Sequence, residues 1–269
     1  MNRFFGGKML LKTIGRTVLA CLALLALIGP ENLGLDPVKQ SLRATLQPPG
    51  AEHLLGTDHL GRDMVARMIS GTRLSFSLAL LAVLTAAIPG TALGILAAWR
   101  GGWIDQLVGT LANSILALPG LLLVLMLAAI APGSWWALYV GISLTLWVEY
   151  FRYSRQRSRS LLASSSVEAS RLLGFGANYI LMRHLLPDML PNLLTLAAFG
   201  IATSVTAMAA LGFVSVGLRP PTAEWGVMMT ELLPYWREAP WLIVQPIACL
   251  VITVLAVHLA TGSGSRPEN

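Results

Sequence analysis

The chain has 269 residues, of which 55% are hydrophobic and only 12% charged, with a net charge of +6. Soluble domains carry about 25% charged residues, so this composition and a mean hydropathy of +0.67 exclude a soluble globular domain and imply a polytopic, all-α membrane protein. The cations cluster at the ends of apolar runs rather than along a stripe, which fits the positive-inside bias and not nucleic-acid binding.

In residues 1–30, Arg3, Lys8, Lys12 and Arg16 precede TVLACLALLALIGP. Leu10–Gly29 reaches the length of a span, about 20 residues, if Lys12 and Arg16 snorkel. A retained first transmembrane helix with its N-terminus inside is expected. A cleaved signal peptide is the alternative, and no convincing small-x-small site after Ile28 supports it. Cys21 and Cys249 both lie in apolar runs, so they read as packing residues rather than as a disulfide framework or metal ligands.

Residues 31–73 form a mixed, polar segment. It holds a Pro-Pro-Gly break and then His53-Leu54-Leu55-Gly56-Thr57-Asp58-His59-Leu60-Gly61-Arg62-Asp63. Gly56 and Gly61 permit tight turns. Thr57 or Asp58 can cap a helix start, and Asp63 can pair with Arg67 one turn along the helix. Two histidines and two aspartates also raise a metal-site reading, but capping and pairing account for the aspartates.

Five further spans are expected within residues 74–261. The second, Leu74–Trp99, has Pro89-Gly90 as a kink site. The third, Ile104–Ile130, is interrupted by Pro119-Gly120 and carries Asn113 and Ser114, read as interhelical hydrogen bonders or as pathway lining. The fourth, Ala137–Tyr153, ends with Glu149 placed to pair with Arg152. The fifth, Leu190–Val214, is rich in small residues and expected to face protein. Residues 213–240 form an outer loop, Trp241–Ala260 is the sixth span, and 262–269 is a short cytoplasmic tail.

Between spans four and five, six arginines against one acid, Glu168, lie in residues 152–183. Such a loop is expected to face the cytoplasm. Ser164-Ser165-Ser166 offer N-caps, and Ser165 with Glu168 fits a capping box. Gly174 and Gly176 can end that helix. A second short helix over Ala177–Leu186 is expected to stop at Pro187.

Three stretches carry a family resemblance covering roughly residues 50–260. Residues 164–187, with Glu168, Ala169, Ser170, Gly174, Gly176, Leu186 and Pro187, resemble the EAA loop of ABC importer permeases. The string around Gly56, Thr57, Asp58, Gly61, Arg62 and Asp63 resembles the "LGTDxLGRD" signature of the dipeptide/oligopeptide/nickel branch. GLRPPTAEWGVMM resembles the same branch. Ser170 stands where a second alanine is usual, Phe175 where a small residue is usual, and the acidic-basic tail of the branch is not seen after the last span.

The resemblance implies a type I permease fold with about six transmembrane helices. It also implies docking of ATPase subunits on the 164–187 loop. The partners would be a second homologous permease, two ATPase subunits and a substrate-binding protein. No cofactor is expected on this chain, and ATP and Mg would belong to the ATPases. The expected location is the bacterial inner membrane, multi-pass, both termini cytoplasmic, with 31–73 and 213–240 outside.

The chain carries no Walker A string G-x-x-x-x-G-K-[ST], so it is not read as an enzyme in its own right. The two outer motifs look most like nickel or metal-chelate permeases, with peptide import as the alternative. An intramembrane enzyme would have only Glu149, His184, Asp188 and His258, in separate segments. A proton-coupled carrier would want a midplane ionisable group, and the span centres are nearly free of charge.

Overall fold

The computed structural model describes residues 2–261, and the expected tail at 262–269 lies outside them. Ten α-helices follow in order: α1 (Asn2–Ile28), α2 (Met64–Arg100), α3 (Gly102–Leu116), α4 (Gly120–Ile130), α5 (Trp135–Leu162), α6 (Ser165–Leu172), α7 (Ala177–Ile180), α8 (Leu186–Phe213), α9 (Trp225–Leu232) and α10 (Pro240–Thr261). The chain divides into two compact units. One comprises the chain up to Leu80, Ala128–Leu138 and the chain from Ile201 onward; the other comprises Leu81–Leu127 and Tyr139–Gly200.

Among the described residues, four stretches are long and apolar enough to cross a membrane: Met9–Ile28, Met64–Arg100, Ala177–Phe213 and Pro240–Thr261. The expected third span is broken. Pro119-Gly120 separates α3 from α4, and the two are bent by 80°. α5, the expected fourth span, has 28 residues. It is less apolar than the others because it does not end at Tyr153: the helix continues through Arg155, Arg157 and Arg159 to Leu162. The six expected spans therefore resolve into four apolar helices, a broken pair and the half-basic α5.

In the first unit, α1 lies against α10. Gly15 is the reason they approach so closely: a Cβ there would meet the backbone of Ala256 and Ala260. The outer loop expected at 213–240 contains a buried helix, α9, that the sequence reading missed. Trp225 and Met228 on α9 are fully buried. Gly226 seats α9 on α8, since a Cβ at Gly226 would collide with the Ala209 backbone.

In the second unit, α2 runs on through Pro89, and Gly90 and Gly94 face α5. A Cβ at Gly90 would lie 2.8 Å from the Trp147 carbonyl, and one at Gly94 2.7 Å from that of Phe151. The spacing is G-x-x-x-G, the small-residue pattern that lets membrane helices touch backbone to backbone. The Pro89-Gly90 pair, a kink site by its sequence, lies inside the continuous α2, and its glycine serves this crossing.

Candidate functional site

Two assemblies gather the residues singled out in the sequence, one in each unit.

The first is the motif at residues 53–63. Gly56 and Gly61 have φ of 80° and 69°, and each turns the chain tightly against another strand of the segment. A Cβ at Gly61 would collide with the Ser41 carbonyl, and one at Gly56 with that of Gln47. The backbone is pinned by Ser41 N–H donating to Leu60 O, Leu46 N–H to Asp58 O, Thr57 N–H to Gln47 O and Met64 N–H to Gly56 O. Thr57 caps no helix. Its hydroxyl donates to the Ala44 carbonyl and accepts from Gln47 N–H.

Asp58 caps no helix either. Oδ1 accepts from the backbone N–H groups of Leu60 and Arg62, both at 2.9 Å, and Oδ2 takes the Arg62 Nε–H at 2.5 Å. The cap of α2 is Asp63: Oδ1 accepts from Ala66 N–H at 2.9 Å, while Oδ2 lies 2.7 Å from His53 Nδ1. The expected Asp63–Arg67 pair does not form, because a capping carboxylate turns back toward the helix start.

Arg67 instead joins a buried network. It lies 3.5 Å from Asp58 Oδ2 and pairs with Glu231 on α9, which Arg62 also grips at 3.0 Å. Asp58, Arg62 and Arg67 are all about 1% exposed. Two arginines and two acids thus cancel in a low-dielectric setting, the only condition under which such charges are tolerated. His59 stacks on Tyr235 with ring centroids 5.2 Å apart. Burial pushes its pKa below the usual histidine value, opposed by Asp58 and Glu231.

The network joins the 53–63 motif to α9, the helix that begins within GLRPPTAEWGVMM, through Glu231 two residues past that motif. The sequence reading missed Glu231, because nothing local marks a glutamate 164 residues from its arginine partner. It also missed Glu224, whose Oε2 accepts from Val227 N–H at 3.0 Å and caps α9. Burial raises the Glu224 pKa above the ordinary carboxylate value, opposed by the backbone N–H groups of Gly226, Val227 and Trp225. Glutamate is not among the preferred N-cap residues, so A-E-W-G-V does not announce this helix start locally.

The second assembly is the 164–187 loop. The N-cap of α6 is Ser164 rather than Ser165, which leaves Glu168 one residue past N3, so the expected Ser165–Glu168 capping box does not form; the Ser164 hydroxyl donates to Leu161 O at 2.6 Å. Gly174 has φ of 85° and makes the turn expected of it. Gly176 sits in extended backbone at φ −78° and precedes α7. Pro187 does not stop a helix. Residues 181–185 form a π-helical turn, and α8 starts at Leu186 and continues through both Pro187 and Pro191. Proline lacks the N–H that would bond four residues back and crowds that carbonyl; a widened turn just before it removes the conflict.

Burial divides the loop. Val167, Ile180, Leu185 and Met189 form a core that packs on Ile95, Trp99, Tyr153 and Leu161. Ser170 is buried, and its hydroxyl lies 2.9 Å from His184 Nε2 and donates to Ser166 O. That contact ties α6 to the π-turn and gives a structural role to a serine where alanine is usual. Phe175 stacks on Tyr179, centroids 4.1 Å apart. Glu168, Ala169, Gly174, Gly176 and Pro187 are exposed, Leu186 is half-buried, and every residue from 171 to 179 is exposed. Leu172 and Leu173 are 84% and 76% exposed.

Two polar expectations resolve here as well. Asn113 accepts from Arg152 Nη2 at 2.9 Å, and Ser114 donates to Thr110 O in its own helix. Arg152 is therefore engaged by Asn113, and the expected Glu149–Arg152 pair does not form.

Comparisons with known proteins follow the same lines. The family model described as "Binding-protein-dependent transport system inner membrane component" matches residues 90–262. The chain is 31% identical to the dipeptide transport system permease protein DppC of Alkalihalophilus pseudofirmus, over 95% of this chain and 84% of that one. It is 31% identical to DppC of Haemophilus influenzae, over 94% and 88%. It is 34% identical to the di/tripeptide transport system permease DppC of Pseudomonas aeruginosa, over 90% and 81%.

Among solved structures, an inward-facing crystal form of the MetNI methionine ABC transporter superposes with a TM-score of 0.57 at 20% identity. The match covers 74% of this chain and 94% of that one, and it shows the type I permease fold. The relatives named here are peptide permeases, so they do not carry the nickel or metal-chelate expectation. On the matched model and these relatives, the chain belongs to the binding-protein-dependent transport system inner membrane component family, the multi-pass permease subunits of ABC importers.

Proposed function

We propose that this subunit forms half of the path by which an ATP-driven importer takes up short peptides, and that residues 164–187 dock its ATPase subunits. The division of the loop carries the second half of this reading. One face is welded by Val167, Ile180, Leu185 and Met189 to three long helices, while Leu172, Leu173 and Phe175 stand exposed beside the turn at Gly174. Exposed apolar side chains on a loop anchored by its own buried core fit a protein partner.

The partners would be a second related permease, two ATPases that bind ATP and Mg, and a substrate-binding protein. Peptide is preferred over nickel or a metal chelate because the named relatives are di- and tripeptide permeases.

Co-purification and uptake test both halves. Gly174→Asp and Glu168→Arg change exposed positions, so both variants are expected to insert normally, lose the ATPases and lose uptake. Wild-type ATPase retention and uptake in both variants would remove the loop from the coupling role. Cells lacking the gene are expected to lose uptake of labelled dipeptide. Loss of labelled nickel uptake with normal dipeptide uptake would return the substrate to a metal.

A further inference from the structure

The arginine run before the docking loop is more than a topology signal. On α5, Arg152, Arg155 and Arg159 recur at i, i+3 and i+7 and all reach α3. Arg152 donates to Asn113 Oδ1 at 2.9 Å. Arg155 forks onto Asp105, its Nη2 2.6 Å from Oδ2, and Arg159 Nη2 meets the same Oδ2 at 2.5 Å. Tyr153 and Arg157, at i and i+4, reach α8 instead. The Tyr153 hydroxyl accepts from Asn192 Nδ2 at 2.9 Å, and Arg157 forks onto Asp188 at 2.6 and 2.9 Å.

Asp105 sits in the first turn of α3, where a negative charge is favoured, whereas Asp188 lies within the continuous helix that runs from α7 through the π-turn into α8. The last three turns of α5 are thus held on alternate faces by α3 and α8. Only Ala163 and Ser164 separate α5 from α6.

We infer that Asp105 and Asp188 are positioning residues for transport: they hold the end of α5 so that movement of the docking loop reaches α3 and α8 together. The inference rests on the reading of 164–187 as the ATPase-docking loop.

Two features set this ladder apart from packing. The guanidinium fork is a directional contact that a lysine cannot reproduce. The Arg157–Asp188 side chains are 42% and 34% exposed, so the pair adds little to stability while still fixing the angle between α5 and α8.

The test uses the whole complex, with the second permease, the ATPases and the binding protein, in proteoliposomes. Three quantities are read: ATPase retention, ATP hydrolysis stimulated by dipeptide-loaded binding protein, and labelled dipeptide uptake. Asp105→Asn, Asp188→Asn and Arg157→Lys are expected to retain the ATPases at the wild-type level. Stimulated hydrolysis and uptake are expected to fall about tenfold, within the ordinary range of coupling between sites. The exchanged pair Arg157→Asp with Asp188→Arg is expected to recover most of the uptake.

Wild-type uptake and stimulation in these variants would overturn the inference. So would loss of the ATPases, because the ladder would then only build the docking loop. Failure of the exchanged pair to recover uptake with the ATPases retained also counts against it. If an asparagine variant does not insert, Arg157→Lys, which keeps the charge and loses the fork, decides. A wild-type complex that does not hold its ATPases refutes the docking reading, and one that holds them without dipeptide uptake refutes the substrate reading.

Discussion

Asp63 performs two tasks with one carboxylate, capping α2 through Ala66 N–H and holding His53. Asparagine keeps the capping oxygen, whereas alanine loses both contacts. Asp63→Ala is therefore expected to cost about 1–2 kcal/mol and Asp63→Asn less, read as thermal unfolding of the purified protein.

Glu231 is a different case. Removing it leaves Arg62 and Arg67 sharing Asp58 alone in a buried site, and an uncompensated buried charge costs about 3–5 kcal/mol. Glu231→Ala is expected to abolish most folded protein, read as the monodisperse fraction on size exclusion.

Glu224 gives a pH dependence. Its folded pKa lies above the unfolded value, so the folded state holds a proton that the unfolded chain releases. Its stabilising contribution is full below the ordinary carboxylate pKa and is lost as pH rises toward the raised one. Glu224→Gln is expected to flatten this fall and to gain most over wild type near neutral pH. Parallel unfolding curves for the two proteins between pH 4 and pH 8 would contradict that assignment.

At the scale of elements, the loop between α6 and α7 depends on one backbone conformation. Gly174 has φ of 85°, and nothing lies within 4 Å of where its Cβ would stand. A side chain therefore meets no neighbour in this subunit and acts only through backbone strain, about 1 kcal/mol. Gly174→Ala is accordingly expected to lower the melting temperature only slightly, while a larger residue is expected to obstruct the proposed ATPase contact.

The Gly90–Gly94 crossing behaves oppositely. Gly90→Leu would need α2 and α5 to separate, and it is expected to destabilise the second unit by several kcal/mol, roughly the scale of an overpacked core. Protease resistance of the 81–127 and 139–200 segments would read this.

At the scale of the whole molecule, topology turns on α3 and α4. If the pair bent by 80° counts as one crossing and α5 as another, four crossings place the 164–187 loop on the same side as the N-terminus. If the pair is re-entrant, only three crossings intervene and the two lie on opposite sides. One crossing is expected, because the arginine-rich end of α5 and the basic N-terminus then share the cytoplasmic face. In a background lacking Cys21 and Cys249, Ser165→Cys is expected to label only from the inside and Leu54→Cys only from the outside. Labelling of position 165 from outside would reverse the orientation.

Composition alone determined that the chain is a helical membrane protein, since apolar runs of this length have no other stable home. Local chemistry determined the turn at Gly174, the tight turns at Gly56 and Gly61, and the position of α6, because these depend on φ angles and nearby side chains. The sequence could not decide which of several acids would cap and which would pair. Asp63 is spaced to pair with Arg67 or to cap a helix, and it caps α2. Arg67 found Glu231 far along the chain, and Pro187 was carried inside a continuous helix by the π-turn before it.

The arginines at 152–159 illustrate the limit best. Their sign was legible as a topology signal, whereas their partners Asp105, Asn113 and Asp188 come from helices that only folding brings alongside. Periodicity and capping act over one or two turns, so a sequence states them openly. Long-range pairing of charges is set by which helices pack together, and that was decided by tertiary structure.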